Sequence, residues 1–205
     1  MATASVDLKR ALAPLYTAPT TPTDVTVPPL TCLMVDGTGD PHTAPAYQDA
    51  VSTLYAVSYG LRAMAAAAGA TPWTVMPLEG LWWSADLASF SVERRQDWLW
   101  TMLVVQPDLV DEEMVERATR AAAAKKKAPS AGLLRREILD EGQALHVLHL
   151  GPYAAEAPTI AALHEAITAR GLMLRGHHHE VYLGDPRRVA PDRMRTIIRQ
   201  PVAQT

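Results

Sequence analysis

The chain has 205 residues and is 48% hydrophobic, enough for one large domain or two small modules sharing a core, which excludes global disorder. A net charge of -3 and a pI of about 6.1 argue against a general nucleic-acid binder. The single cysteine, Cys32, cannot form an internal disulfide, Met1–Arg10 has no apolar signal core and no run reaches membrane-spanning length, so a cytoplasmic protein without membrane contact is expected.

Residues 1–13 read as a short, weak helix. Residues 14–29 hold five prolines, at 14, 19, 22, 28 and 29, and read as an extended arm laid on the surface. A first strand is expected from Thr31 to Asp36, running into the turn-rich Gly37–Pro41. Gly37-x-Gly39 lacks the rest of either phosphate-binding fingerprint and reads as a turn. Residues 45–68 form a long helix with Tyr47, Val51, Leu54, Tyr55, Ser58, Leu61 and Met64 on its buried stripe, closed by Gly69. Tyr55 and Tyr59 stand one turn apart on one side.

A second strand is expected over 73–83, then a loop from Ser84 to Arg95, then a third strand over 97–106 with Trp98, Trp100 and Met102 on one face. Together with Trp82 or Trp83 these indoles make an aromatic wall, and five tryptophans against one phenylalanine suit ligand stacking as well as a core. Residues 109–127 form a charged helix, acids first and bases last, as the helix dipole prefers. Its lysine run reads as a solvated end. Pro129–Gly132 is a linker. The second half then repeats the order: a strand from Gln143 to Tyr153, a helix over 157–170 closed by Gly171, a strand over 175–184 and a last strand over 194–201.

The stretch 176–186, Gly-His-His-His-Glu-Val-Tyr-Leu-Gly-Asp-Pro, carries the clearest chemistry. On a strand, side chains two apart share a face, so His178, Glu180 and Tyr182 point the same way. A carboxylate on a buried sheet face must be paired or used; otherwise Glu180 is simply solvent-facing. Residues 75–83, Val-Met-Pro-Leu-Glu-Gly-Leu-Trp-Trp, lie 101 positions earlier when Glu79 is set on Glu180, and Val104–Pro107 resembles Ile198–Pro201. This implies an internal duplication. The expected fold is α+β: a β-α-β-β module repeated with pseudo-twofold symmetry, an antiparallel sheet with helices on one face, and a ligand groove between the halves. The divisions are 1–30 for the arm, 31–108 for the first half, 109–135 for the charged helix and linker, and 136–205 for the second half.

Three segments, Pro77–Trp83, His149–Tyr153 and His178–Pro186, together resemble the GyrI-like small-molecule-binding family across nearly the whole chain. Its members include effector domains of multidrug-sensing regulators, a gyrase-binding protein, and a stand-alone branch that hydrolyses cyclopropane-bearing DNA alkylators of the yatakemycin and CC-1065 type. The Glu-Gly-Leu-Trp-Trp motif and the lack of a helix-turn-helix segment are most similar to that branch. The resemblance implies a planar aromatic ligand, with Glu180 activating water, a phenol (Tyr182, Tyr153 or Tyr55) stabilising the oxyanion, and Glu79 as the symmetry-related carboxylate. Trp82, Trp83, Trp100, Tyr55, Tyr59, Tyr153 and His178 are the expected ligand contacts. The alternative is a non-catalytic protein that sequesters or senses lipophilic cationic or aromatic compounds. A metal shared by His177 and His179 is the weaker reading, since His178 points the other way; no metal or cofactor is expected.

Overall fold

The structure is a computed structural model that describes residues 8–71, 73–84, 92–185 and 187–204, without the side chains of 92–94. Residues 1–7 of the expected first helix, the centre of the expected 84–95 loop and Pro186 lie outside the described residues. The chain divides into two compact units. One holds Leu8–Ala11, Leu30–Met76 and Trp82–Leu139; the other holds Leu12–Pro29, Pro77–Leu81 and the chain from Asp140 onward.

In the first unit, β2 (Leu30–Thr38) is flanked by antiparallel β4 (Leu99–Val105) and β5 (Arg135–Leu139), and Trp82 and Trp83 of β3 (Glu79–Trp83) lie beside β4. α1 (Leu8–Ala11), α2 (Pro45–Ala67) and α3 (Glu112–Ala124) belong to this unit. α2 starts with proline at its first position and ends at Gly69, whose φ of 85° is a left-handed cap that a glycine adopts without Cβ strain. Leu54, Ser58 and Leu61 are buried as the periodicity predicts, but the stripe is centred on Ala50, Thr53, Val57 and Ala65. Small residues there let the helix approach its neighbours closely, and Ser58 Oγ accepts a bond from Gln106 Nε2 at 3.0 Å. α3 is capped by Asp111, whose carboxylate accepts from the Met114 amide at 2.8 Å.

The second unit has the strand order β1 (Thr23–Val27), β6 (Gly142–Leu150), β9 (Arg195–Gln204), β8 (His178–Tyr182), all antiparallel, with the short β7 (Leu172–Leu174) on the far end of β9. α4 (Ala157–Ala169) packs on one face, where Leu145, Val147, Leu163, Ile167, Ile198 and Val202 form a core. The opposite face is covered by the N-terminal segment: Ala18 packs with Val181 and Ile197, and Tyr16 and Leu148 border them. Each unit thus repeats one order, first strand beside last strand beside third: β2-β4-β3 and β6-β9-β8. The fold is α+β with antiparallel strands, as the repeat implies.

Three sequence expectations need correction. The proline-rich arm is not merely laid on the surface: Thr23–Val27 is an edge strand on β6, with Val25 and Val27 buried and Pro22 and Pro28 just outside it. Prolines are tolerated at the ends of an edge strand because no ladder N–H is needed there. The second strand is shorter than expected and begins only at Glu79. Finally, Gly37 continues β2 rather than turning. A Cβ there would lie 2.0 Å from the Trp100 ring, so glycine is required by the indole packed on the strand.

Candidate functional site

β8 positions the site. Register places Glu180 opposite Ile198 and Tyr182 opposite Thr196 on β9, so both side chains share the face of the α4 core. The Tyr182 hydroxyl donates to Glu180 Oε2 at 2.8 Å, and His178 Nε2 lies 3.1 Å from Glu180 Oε1. The strand's two-residue period therefore brings His178, Glu180 and Tyr182 together. The side chains of His178 and Glu180 are 11% and 14% exposed, partly buried yet reachable.

A further tyrosine and a second carboxyl complete the group. Between β6 and α4 the chain makes a short 3-10 turn at Tyr153–Ala155, and Glu156 follows at the start of α4. The Tyr153 and Tyr182 rings meet edge to face at 5.5 Å. Burial raises the Tyr153 phenol above its usual range, helped by the charges of Glu156, Glu180 and Asp185, so it stays a proton donor. Glu156 is buried, with its Oε1 lacking a hydrogen-bond partner, and stands near enough to Glu180 to feel its charge. Burial first, then the Glu180 charge, lifts its pKa to about 9, against the Thr196 hydroxyl that favours the ionised form. Two adjacent carboxyls cannot both ionise cheaply, so at neutral pH Glu156 keeps its proton. Behind them on α4, His164 is held below its ordinary value by burial and then by the His178 charge.

The profile of the GyrI-like small molecule binding domain matches residues 20–203. The chain belongs to the GyrI-like family. An uncharacterised conserved protein from Listeria innocua is 36% identical, with a TM-score of 0.90 over 97% of this chain and 100% of that one. A hydrolase from Listeria innocua is 35% identical, with a TM-score of 0.87 over the same shares. The EcmrR C-terminal domain, at 13% identity and a TM-score of 0.55 over 90% of this chain and 98% of that one, shares the fold. No curated protein matches the chain.

In this GyrI-like chain Glu79 does not join Glu180. It is 1% exposed, accepts from the Tyr16 hydroxyl at 2.6 Å and lies 2.9 Å from His179 Nε2, on the other face of β8. Aligning repeats from sequence fixes register only to about one residue, and one residue on a strand is a change of face. In the first unit, Trp100 is fully enclosed. Its Nε1 donates to the Gly39 carbonyl at 3.2 Å and its ring meets Tyr47 edge-on at 5.5 Å, so the core account that competes with the aromatic wall holds for this indole. Trp82 is buried between Tyr47 at 6.3 Å and Trp98 at 5.6 Å, whereas Trp83 is half-buried. Tyr55 and Tyr59 stack at 6.3 Å, and Tyr59 is 56% exposed.

Glu156 is the residue that sequence reasoning missed. It carries no strand or helix period, and a glutamate at a helix start reads as dipole complement. The available signal was its position three residues after Tyr153, in the turn that closes a motif already singled out. Among the described residues no group of three or more His, Cys, Asp or Glu is arranged to hold a metal ion, and none of the described helices is long and apolar enough to cross a membrane.

Proposed function

We propose that this GyrI-like protein binds a planar aromatic small molecule and hydrolyses a strained cyclopropane ring conjugated to a carbonyl, as found in DNA alkylators of the yatakemycin and CC-1065 type. The observation that carries the reading is the placement of two neighbouring carboxyls: Glu180, partly exposed and held by Tyr182 and His178, and Glu156, buried beside it. Glu180 accepts from Tyr182 and stands beside His178, whereas Glu156 holds its proton to about pH 9. An enzyme running base and acid chemistry at neutral pH needs that division.

In the proposed reaction Glu180 takes a proton from water as the water oxygen bonds to the ring CH₂. The strained C–C bond breaks, its electron pair moves through the conjugated system to the carbonyl oxygen, and Glu156 supplies the proton that this oxygen takes up. The Tyr153 phenol, which burial keeps protonated, donates a hydrogen bond to the developing oxyanion. The Tyr153 and Tyr182 rings supply aromatic surface for the substrate. The hydrolases from Listeria innocua at 35% identity support hydrolytic chemistry in this part of the family. A second reading, sequestration of lipophilic cations, uses the same Glu180 charge beside the same rings without turnover.

The test is incubation of the purified protein with a cyclopropane-bearing alkylator, followed by mass spectrometry. Many equivalents of ring-opened, hydrated product per protein support the enzyme. Binding with no product in excess of the uncatalysed rate removes it.

A further inference from the structure

On the face of β8 turned away from Glu180, five side chains meet almost without solvent. His179 is 0% exposed, and each of its ring nitrogens faces a carboxylate: Nδ1 is 2.9 Å from Glu141 Oε1, and Nε2 is 2.9 Å from Glu79 Oε2, the second contact bent away from a straight hydrogen bond. A neutral imidazole would turn a lone pair on one of these oxygens at that distance, so between two ionised carboxylates the arrangement favours the imidazolium. Arg199, also fully buried, sets NH1 3.5 Å from Glu141 Oε2 and donates from NH2 to the Leu15 carbonyl at 2.8 Å. Tyr16 donates to Glu79 Oε1 at 2.6 Å. Leu15 and Tyr16 belong to the N-terminal strap, which continues to Pro19, whose carbonyl accepts from the Leu148 amide at 2.7 Å.

We propose that His179, held as an imidazolium between Glu79 and Glu141, is the positioning residue for Glu180: it fastens the N-terminal strap and the start of β6 to β8, and so fixes the strand whose opposite face carries the site. His179 sits between His178 and Glu180 in the chain, so a rotation of β8 that moves one face moves the other. The assignment of Glu180 as the reacting carboxylate rests on the reading above; the clasp itself does not.

The surrounding groups leave His179 as the titrating member. Burial opposes its charge, but Glu141 and Glu79 overcome this and raise its pKa to about 9. Nearby His146 on β6 is pushed down to about 4 by burial and then by the Arg199 charge, and His177 is lowered by burial against the Glu141 charge. A folded pKa raised above the ordinary value of 6.5 means that the clasp's contribution is complete below pH 6.5 and is lost as pH rises through about 9.

The experiment is an NMR titration of the protein labelled with ¹⁵N-histidine and ¹³C-carboxyl glutamate. Both His179 ring nitrogens should be protonated at pH 7.5, and the Glu180 carboxyl signal should shift at the His179 midpoint. One bare ring nitrogen at pH 7.5, or a Glu180 signal that ignores the His179 transition, overturns the proposal whether or not the protein turns over any substrate. If turnover is present, His179→Gln should lower kcat roughly 100-fold with KM nearly unchanged, the scale expected when a reacting group is misplaced. Tyr16→Phe keeps every charge and should fold; without the hydroxyl that shares the Glu79 charge, His179 should hold its proton more tightly and its midpoint should move to higher pH, and an unmoved midpoint counts equally against the clasp.

Discussion

Replacing Arg199 by methionine tests whether the buried ionic cluster is held together by mutual compensation. The cluster contains two cations, Arg199 and His179, and two anions, Glu79 and Glu141, all nearly solvent-free. At 3.5 Å and 4.0 Å from the two carboxylates, the guanidinium attraction is about 4–5 kcal/mol for each contact at an effective dielectric of 20. Much of that is cancelled by the cost of burying the charge. Arg199→Met removes one cation and leaves two buried carboxylates on one imidazolium, while the Leu15 carbonyl loses its donor. The expected loss is about 3–5 kcal/mol, the range for breaking a buried pair from one side. For a chain of this length that corresponds to a fall in Tm of roughly 6–20 °C by circular dichroism at pH 7. Adding Glu141→Gln restores charge balance and should recover about half of the loss. A single variant that loses less than about 1 kcal/mol, or a double variant no more stable than the single, refutes the compensation argument.

Two further outcomes are expected. Glu156→Gln should slow ring opening roughly 100-fold and abolish the fall in rate that loss of the Glu156 proton produces as pH rises through about 9, read from a kcat profile between pH 6 and 10.5; an unchanged rate removes Glu156 from the mechanism. Gly37→Ala forces a methyl into the Trp100 ring and should destabilise the protein by about 1–3 kcal/mol in urea, with a shift in tryptophan emission; a neutral substitution would mean that the indole has room to move.

Much of this architecture was legible in the sequence because its signals are periodic. The extent of α2, the glycine stops at 69 and 171 and the repeated strand-helix-strand-strand order all follow from spacing, whereas the buried stripe of α2 runs partly through small residues that the apolar period passes over. The side of β8 that carries His178, Glu180 and Tyr182 follows from the two-residue period alone. What was not legible depends on contacts distant in sequence. β1 hides between prolines and pairs with β6 more than 100 residues later. Glu79 resembles Glu180 in its motif, yet its partner is His179, which the folded neighbourhood of β3 and β8 decides and the motif does not. Trp100 reads as a ligand face until the glycine beneath its ring is known to belong to β2. Glu156 takes its raised pKa from burial and from Glu180, neither of which a local window contains.

Glu180→Gln, measured for both rate and affinity, asks whether Glu180 is the base. The amide keeps the shape of the carboxyl and its place beside Tyr182 and His178, and it cannot accept a proton from water. If Glu180 is the base, the ring-opening rate falls roughly 100-fold or more while planar neutral ligands bind as tightly as before. Weaker binding of lipophilic cations, with no turnover in either form, selects sequestration instead. An unchanged rate together with unchanged affinity would contradict both readings and leave Glu180 a strand carboxylate that does no chemistry.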